Sequence, residues 1–452
     1  MIKNIINVLT ANVAELIVGI LASFMIPMVV SIGSYAQIKT YSLYISYIGI
    51  LSLGYYDGLY MRYGGVDFKS IDKQKLNSEI VGFFVMQFAI TMVFATIGLI
   101  LGDTVILLFS ISIIPVNVFT CFKRVYQATG IFSYYKKSML VYSLLNMLFT
   151  IYLVVIVRNG NYILYFMITI VASVFAVIYN FYIFYFRLNA NSRVTINSRL
   201  YTRNIRSGYL ILVGNLAVNA IYGIDRWFAK IFFSNTEFAY YSFAVSMLNI
   251  IMVLIQSVGL TFYNYLSKTK DKGTINEIKN ILIFLGVLSS GTYFGIAIIV
   301  NKFIGTYSNS LGIISISFAA YPFIIVINTI FLNWYKADKK NGKYLTSVLF
   351  MVILSMILDY LFSRSGKLSS IAIATFVSFV LWYIYCEYDA LRMKIKLKEV
   401  LYLLFSEGLF LFLASSQSDI IMRGAIYYLL VLLISVVFYG KEFRNMFCKY
   451  LK

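Results

Sequence analysis

Six residues of one apolar run set the chemistry this sequence could perform. Asn215, Asn219, Tyr222, Arg226 and Lys230 follow at spacings of four, three, four and four, and Asp225 stands beside Arg226. On an α-helix these intervals put the first five on one face, with Asp225 about 100° round from Arg226. The face changes from neutral polar to cationic along its length. A guanidinium offers a rigid fork of donors to phosphate oxygens, an ammonium adds a point charge, and Asn and Tyr suit hydroxyl-rich groups. Such a face would attract an anion joined to sugars and repel an organic cation. The competing reading is structural: Arg226 and Lys230 reach to water along their stems, and Asp225 pairs with one of them.

Other runs carry shorter polar stripes. Asn4, Asn7, Ala11, Glu15, Gly19 and Ala22 share a face in the first, and Ser242, Ser246, Asn249 and Gln256 in the eighth. Ser143, Asn146 and Thr150 share one in the fifth, where hydrogen bonds between helices explain them. Asp359 and Glu387 near span ends read as interfacial, whereas Glu407 lies mid-run and has no ready explanation.

The elements that position these residues follow from composition. Of 452 residues 61% are hydrophobic and 12% charged, with no His and three Pro. A soluble domain carries about 25% charged residues. A soluble globule, a disordered chain and a disulfide scaffold are excluded, and a polytopic helical membrane protein remains. A helix needs about 20 apolar residues to cross the hydrocarbon core. Fourteen runs qualify, near 6–32, 36–60, 79–101, 104–123, 138–157, 162–186, 207–233, 238–263, 278–300, 305–334, 345–362, 368–388, 400–415 and 420–439. The run 400–415 is the shortest.

The net charge of +20 is topological. Of the 38 Lys and Arg, 30 lie at the termini and even-numbered joints, six lie at odd joints, and Arg226 and Lys230 lie inside the seventh run. Basic residues stay on the cytoplasmic side, so both termini are expected there and no nucleic-acid role is implied. The first run reads as a span, not a cleaved leader. Cys121, Cys386 and Cys448 are expected to be reduced. No Cys/His cluster has metal-ligand spacing, so neither a metal site nor a cofactor is expected.

Weak internal repeats divide the chain. Tyr41-Ser42 recurs as Tyr241-Ser242, and Tyr126-Gln127-Ala128 after Pro115 as Tyr335-Lys336-Ala337 after Pro322. These pair run 2 with 8 and run 4 with 10. Repeats six spans apart run parallel. The expected architecture is all-α with about 14 spans: a six-helix lobe (1–190), a cytoplasmic linker (191–206), a second six-helix lobe (207–390) and an appended helix pair (391–452). Two lobes around a polar cleft suit alternating access.

The chain resembles the polysaccharide transporter family of the multidrug, oligosaccharidyl-lipid and polysaccharide exporter superfamily. The resemblance spans the whole chain and rests on Gly54-Tyr55-Tyr56-Asp57-Gly58-Leu59-Tyr60-Met61-Arg62-Tyr63-Gly64-Gly65, Ile224-Asp225-Arg226-Trp227 and Tyr240-Tyr241-Ser242. Many members have twelve spans; the fourteen read here are closer to the lipid II flippase branch. The resemblance implies a bacterial cytoplasmic-membrane flippase for an undecaprenyl-diphosphate-linked oligosaccharide, driven by proton or sodium antiport, with polysaccharide assembly enzymes as further partners. From the residues themselves, Arg226, Lys230, Asn215, Asn219, Tyr222 and Asn249 are the candidate substrate-binding residues and Asp225 and Glu15 the candidate ion-coupling ones. A drug-type antiporter of the same superfamily would need a carboxylate-rich, cation-poor cavity. A polysaccharide polymerase would need acid and base groups at an outer site, often on a long outer loop. A non-transporting scaffold would leave the intramembrane charges without a purpose.

Overall fold

The computed structural model describes residues 2–188, 192–195, 198–266, 271–337, 341–391 and 396–450. Residues 189–190 and parts of the expected linker (191 and 196–197) lie outside them, as do the joint residues Lys268, Lys270, Lys339, Lys340, Arg392 and Lys394 and the side chains of Asn4, Gln256 and Cys448. Among the described residues every regular element is helical. The chain folds as two compact units, Met1–Asn219 and Ala220–Lys452.

The first unit contains α1 (Ile2–Met25), α2 (Ile32–Ser46), α3 (Tyr55–Tyr63), α4 (Lys73–Leu101), α5 (Thr104–Ala128), α6 (Phe132–Ile151), α7 (Tyr162–Tyr182) and most of α8 (Ser198–Ile221). The few acids at its joints begin helices. Asp72 accepts from Gln74 N and Lys75 N, and Asp103 from Val105 N and Ile106 N. Each such cap stabilises its helix by about 1 kcal/mol. Helix α5 is central, packing on α2, α3, α4, α6 and α7. Its Val118, Phe122 and Val125 join Leu76, Ile80 and Phe184 in a buried core.

The run expected at 36–60 is broken between α2 and α3, where Leu53 and Gly54 take left-handed backbone angles (φ 53° and 79°). The break frees carbonyls that two buried amides satisfy. Gln87 Nε2 donates to Leu51 O at 3.0 Å, and Asn117 Nδ2 donates to Ile48 O at 3.3 Å and to Gln87 Oε1 at 2.7 Å. Beyond the break α3 and α8 touch backbone to backbone. A Cβ on Gly208 would lie 1.9 Å from Gly54 O, and one on Gly58 2.0 Å from Asn204 O. Gly208→Ala should therefore destabilise the protein by about 3 kcal/mol or more, read as a fall in the thermal midpoint. Gly102→Ala, with nothing within 4 Å, meets no such contact and suffers backbone strain alone.

The second unit contains α9 (Ile224–Phe232), α10 (Asn235–Leu266), α11 (Lys272–Ser290), α12 (Thr292–Phe303), α13 (Leu311–Phe318), α14 (Tyr321–Val326), α15 (Leu332–Ala337), α16 (Asn341–Ser363), α17 (Leu368–Cys386), α18 (Leu397–Ser415) and α19 (Ile420–Tyr450). The run at 305–334 bends by 47° between its halves. Pro322 stands at the bend; it lacks an N–H and its ring displaces the carbonyl four residues earlier.

Helices α18 and α19, outside the internal repeat, pack on α11 and are tied to it by polar groups. Lys279 of α11 is 1% exposed and lies 2.7 Å from Glu387 Oε1 and 2.8 Å from Glu399 Oε2. Tyr383 also donates to Glu399. Lys279 is thus a buried ion-pair partner rather than a free basic residue of a joint, and Glu387 is fully buried. Arg423 is likewise buried, donating to the Leu413, Ala414 and Ser416 carbonyls at the end of α18. Lys279→Ala should lower stability by about 3–5 kcal/mol, because it strands two buried carboxyl groups. Lys279→Ala with Glu387→Gln and Glu399→Gln should recover much of that loss in the same thermal-unfolding measurement.

Nine helices are long and apolar enough to cross a membrane among the described residues, or eleven if two pairs of helices bent at their breaks are each counted as a span. Large aliphatic side chains such as Ile100 (78% exposed) and Val437 (81%) face outward, as lipid contact requires. The chain is an all-helical, multi-pass membrane protein.

Candidate functional site

The polar run that opened the sequence reading is two helices. α8 ends at Ile221 and α9 begins at Ile224, with the buried Gly223 between them. Glycine has no Cβ and weakens a helix at that point. The single helical face expected from the spacing therefore does not run from Asn215 to Lys230. Asn215 and Asn219 are exposed on the α8 part in the first unit, and Arg226 and Lys230 belong to α9 in the second. Tyr222, at the break, donates to Asn328 Oδ1 at 2.9 Å.

Helix α9 packs on α10, α16 and α17, and its Asp225 is buried among them. Asp225 Oδ1 accepts from the backbone N–H of Arg226 at 2.8 Å, and Oδ2 accepts from the Tyr241 hydroxyl of α10 at 2.8 Å. Asp359 of α16 lies within electrostatic reach of Asp225. It is fully buried, and neither carboxylate oxygen has a hydrogen-bond partner among the described residues. Ser355, one turn earlier on α16, is also buried, and the Thr375 hydroxyl of α17 lies beside Tyr241.

Four helices thus bring two carboxyl groups, a phenol and a hydroxyl into one dry place. An uncompensated charge there is expensive, so a pair of carboxyl groups at such a site binds a proton or a small cation. The sequence pointed to Asp225 through its neighbour Arg226. It pointed less clearly to Asp359, although an acid inside an apolar run has the same desolvation penalty in span 11 as in span 7.

The cations flank this pocket. Arg226 is half-buried, and its Nε has no partner among the described residues. Lys230 donates to Asn235 Oδ1 at 2.8 Å and sits 5.1 Å from the Phe238 ring centroid. Asn249 is exposed on α10. Glu15 is exposed on α1 of the first unit, within electrostatic reach of Lys123.

The first unit holds a cluster that sequence reading did not single out. Glu79 of α4 is fully buried and ion-paired to Arg62. Its Oε2 accepts from the Tyr63 hydroxyl at 2.7 Å, and its Oε1 from Asn204 of α8 at 3.5 Å. These contacts join α3, α4 and α8 and explain Arg62 structurally.

Among solved structures, the lipid II flippase MurJ in an inward closed conformation superposes with a TM-score of 0.71 at 14% identity, covering 98% of this chain and 99% of that one. The chain has the lipid II flippase fold. An inward-facing multidrug resistance MATE transporter of the MOP superfamily matches at TM-score 0.61 and 13% identity, over 83% of this chain and 95% of that one. A second MATE structure, in the straight conformation, matches at TM-score 0.50 and 11% identity over 86% of this chain and 96% of that one. The fold thus agrees with the exporter superfamily that the sequence motifs resemble. No family model and no curated protein sequence matches the chain.

Proposed function

We propose that this chain is an ion-coupled flippase that moves an undecaprenyl-diphosphate-linked oligosaccharide across the bacterial cytoplasmic membrane for cell-surface polysaccharide synthesis. The observation that carries the reading is the pairing on α9 of a buried acid with an adjacent cation: Asp225 turned into the Tyr241–Asp359 pocket, and Arg226 beside it with a donor to spare. One short helix thus joins an ion site to an anion-binding group. In this reading Arg226 and Lys230 hold the diphosphate, and Asn215, Asn219, Tyr222 and Asn249 face the sugars during the cycle. Asp225 and Asp359 carry the coupling proton or sodium ion, and Glu15 is a second coupling residue.

The reading keeps fourteen spans, with both termini cytoplasmic. The runs at 36–60, 238–263 and 400–415, added to the eleven above, contain α2 and α3, α10 and α18. It also keeps two parallel six-helix lobes (1–190 and 207–390), a cytoplasmic linker (191–206) and an appended pair (391–452). The 30-to-6 split of basic residues supports this topology. A drug-type cargo is the alternative within the same fold, and Arg226 and Lys230 disfavour an organic cation.

A photoreactive polyprenyl-diphosphate sugar, presented to the protein in lipid nanodiscs, tests the cargo. Labelling should be competed by unlabelled lipid diphosphate sugar and not by an amphiphilic cation. The reverse order of competition would transfer the chain to the drug-antiporter reading.

A further inference from the structure

The coupling pocket leaves Glu407 unused. It lies in the middle of α18, 5% exposed, and its Oε2 has no partner among the described residues. Its Oε1 is 3.3 Å from Ser290 Oγ at the end of α11. The Ser290 hydroxyl is also 2.9 Å from Phe318 O and 3.3 Å from Gly286 O. Phe318 O is open to it because Pro322, four residues on, has no N–H to donate and pushes that carbonyl aside. A serine hydroxyl has one hydrogen to give. Its nearest acceptor is Phe318 O, so Glu407 Oε1 receives only a long, shared hydrogen bond from Ser290, too little to hold an ionised carboxylate in a buried place.

Among the described residues no cation faces Glu407 to offset an ionised carboxylate. Helices α11, α13 and α19 pack on α18. From α11 the nearest cation is Lys279, eleven residues before Ser290 and held by Glu387 and Glu399. Helix α13 has no charged residue. From α19, Tyr427 donates its hydroxyl to Val287 O at 2.6 Å, and Arg423 donates to the α18 terminal carbonyls.

Other polar side chains of α18 are buried near Glu407. Ser406 adjoins it, and the Ser406 hydroxyl lies beside that of Tyr402. Tyr402 Oη is 2.9 Å from Ser435 Oγ. Glu399, one turn further, belongs to the Lys279 cluster. We propose that Glu407 is a proton-binding site, a neutral acid held in the interior of the second unit. The proposal does not depend on the cargo.

Infrared difference spectra of the full chain in lipid bilayers test it. Subtracting Glu407→Gln from wild type should leave the carbonyl band of a neutral carboxylic acid that shifts in D2O. Gln matches the shape of the neutral acid, so the thermal midpoint should hold. If Gln fails to fold, Glu407→Asp should move the band instead. Absence of any band assignable to Glu407 would overturn the proposal, since an ionised carboxylate there needs a bound cation.

Discussion

Arg226→Ala is expected to reduce translocation of a diphosphate-linked cargo by about 10- to 100-fold, with the amount of folded protein in the membrane unchanged. The effect is large because a guanidinium bonded to a phosphate makes charge-assisted contacts that alanine cannot replace. Folding should be spared because Arg226 is half-buried and its Nε has no partner among the described residues. Arg226→Lys should retain part of the flux, since it keeps the charge and loses the planar fork. Full flux in the alanine variant would remove Arg226 from the binding site. Lys230→Ala should cost less, because its ammonium is already occupied by Asn235 and the Phe238 ring.

Asp359→Asn is expected to abolish the response of transport to an imposed ion gradient. The loss of coupling should be on the order of 5- to 150-fold in flux ratio with and without the gradient. The substitution keeps the shape of the side chain and breaks no hydrogen bond among the described residues, so the thermal midpoint should not fall. Asp225→Asn should uncouple as well. It should also lower stability, because Asp225 accepts from Tyr241 and from the Arg226 amide. A gradient-driven flux that survives in Asp359→Asn would place coupling elsewhere, with Glu15 next to be tested.

The class of the fold was legible because it is written in long apolar runs, and a helix is the structure that satisfies its own backbone in lipid. The breaks within those runs were much less legible. Gly223, Pro322 and the Leu53-Gly54 pair interrupt runs that hydropathy reads as continuous, because a sum over apolar side chains does not register a backbone angle or a missing N–H. The candidate site was legible where chemistry lay along one helix, as with Asp225 and Arg226. It was missed where partners come from distant segments. Asp359 is 134 residues from Asp225 in sequence, and Glu399 is 120 from Lys279. Burial likewise turned Lys279, counted as a topological charge, into the centre of an ion cluster. A charge count cannot distinguish a headgroup contact from an internal pair.

The central claim is tested most directly by leaflet translocation in liposomes that contain only the purified chain. The cargo is a fluorescent undecaprenyl-diphosphate oligosaccharide, followed with and without imposed proton or sodium gradients. The predicted result is transbilayer movement that one of the two gradients accelerates in wild type and fails to accelerate in Asp359→Asn. Immobile lipid beside rapid movement of an amphiphilic cation, under either gradient, would contradict it.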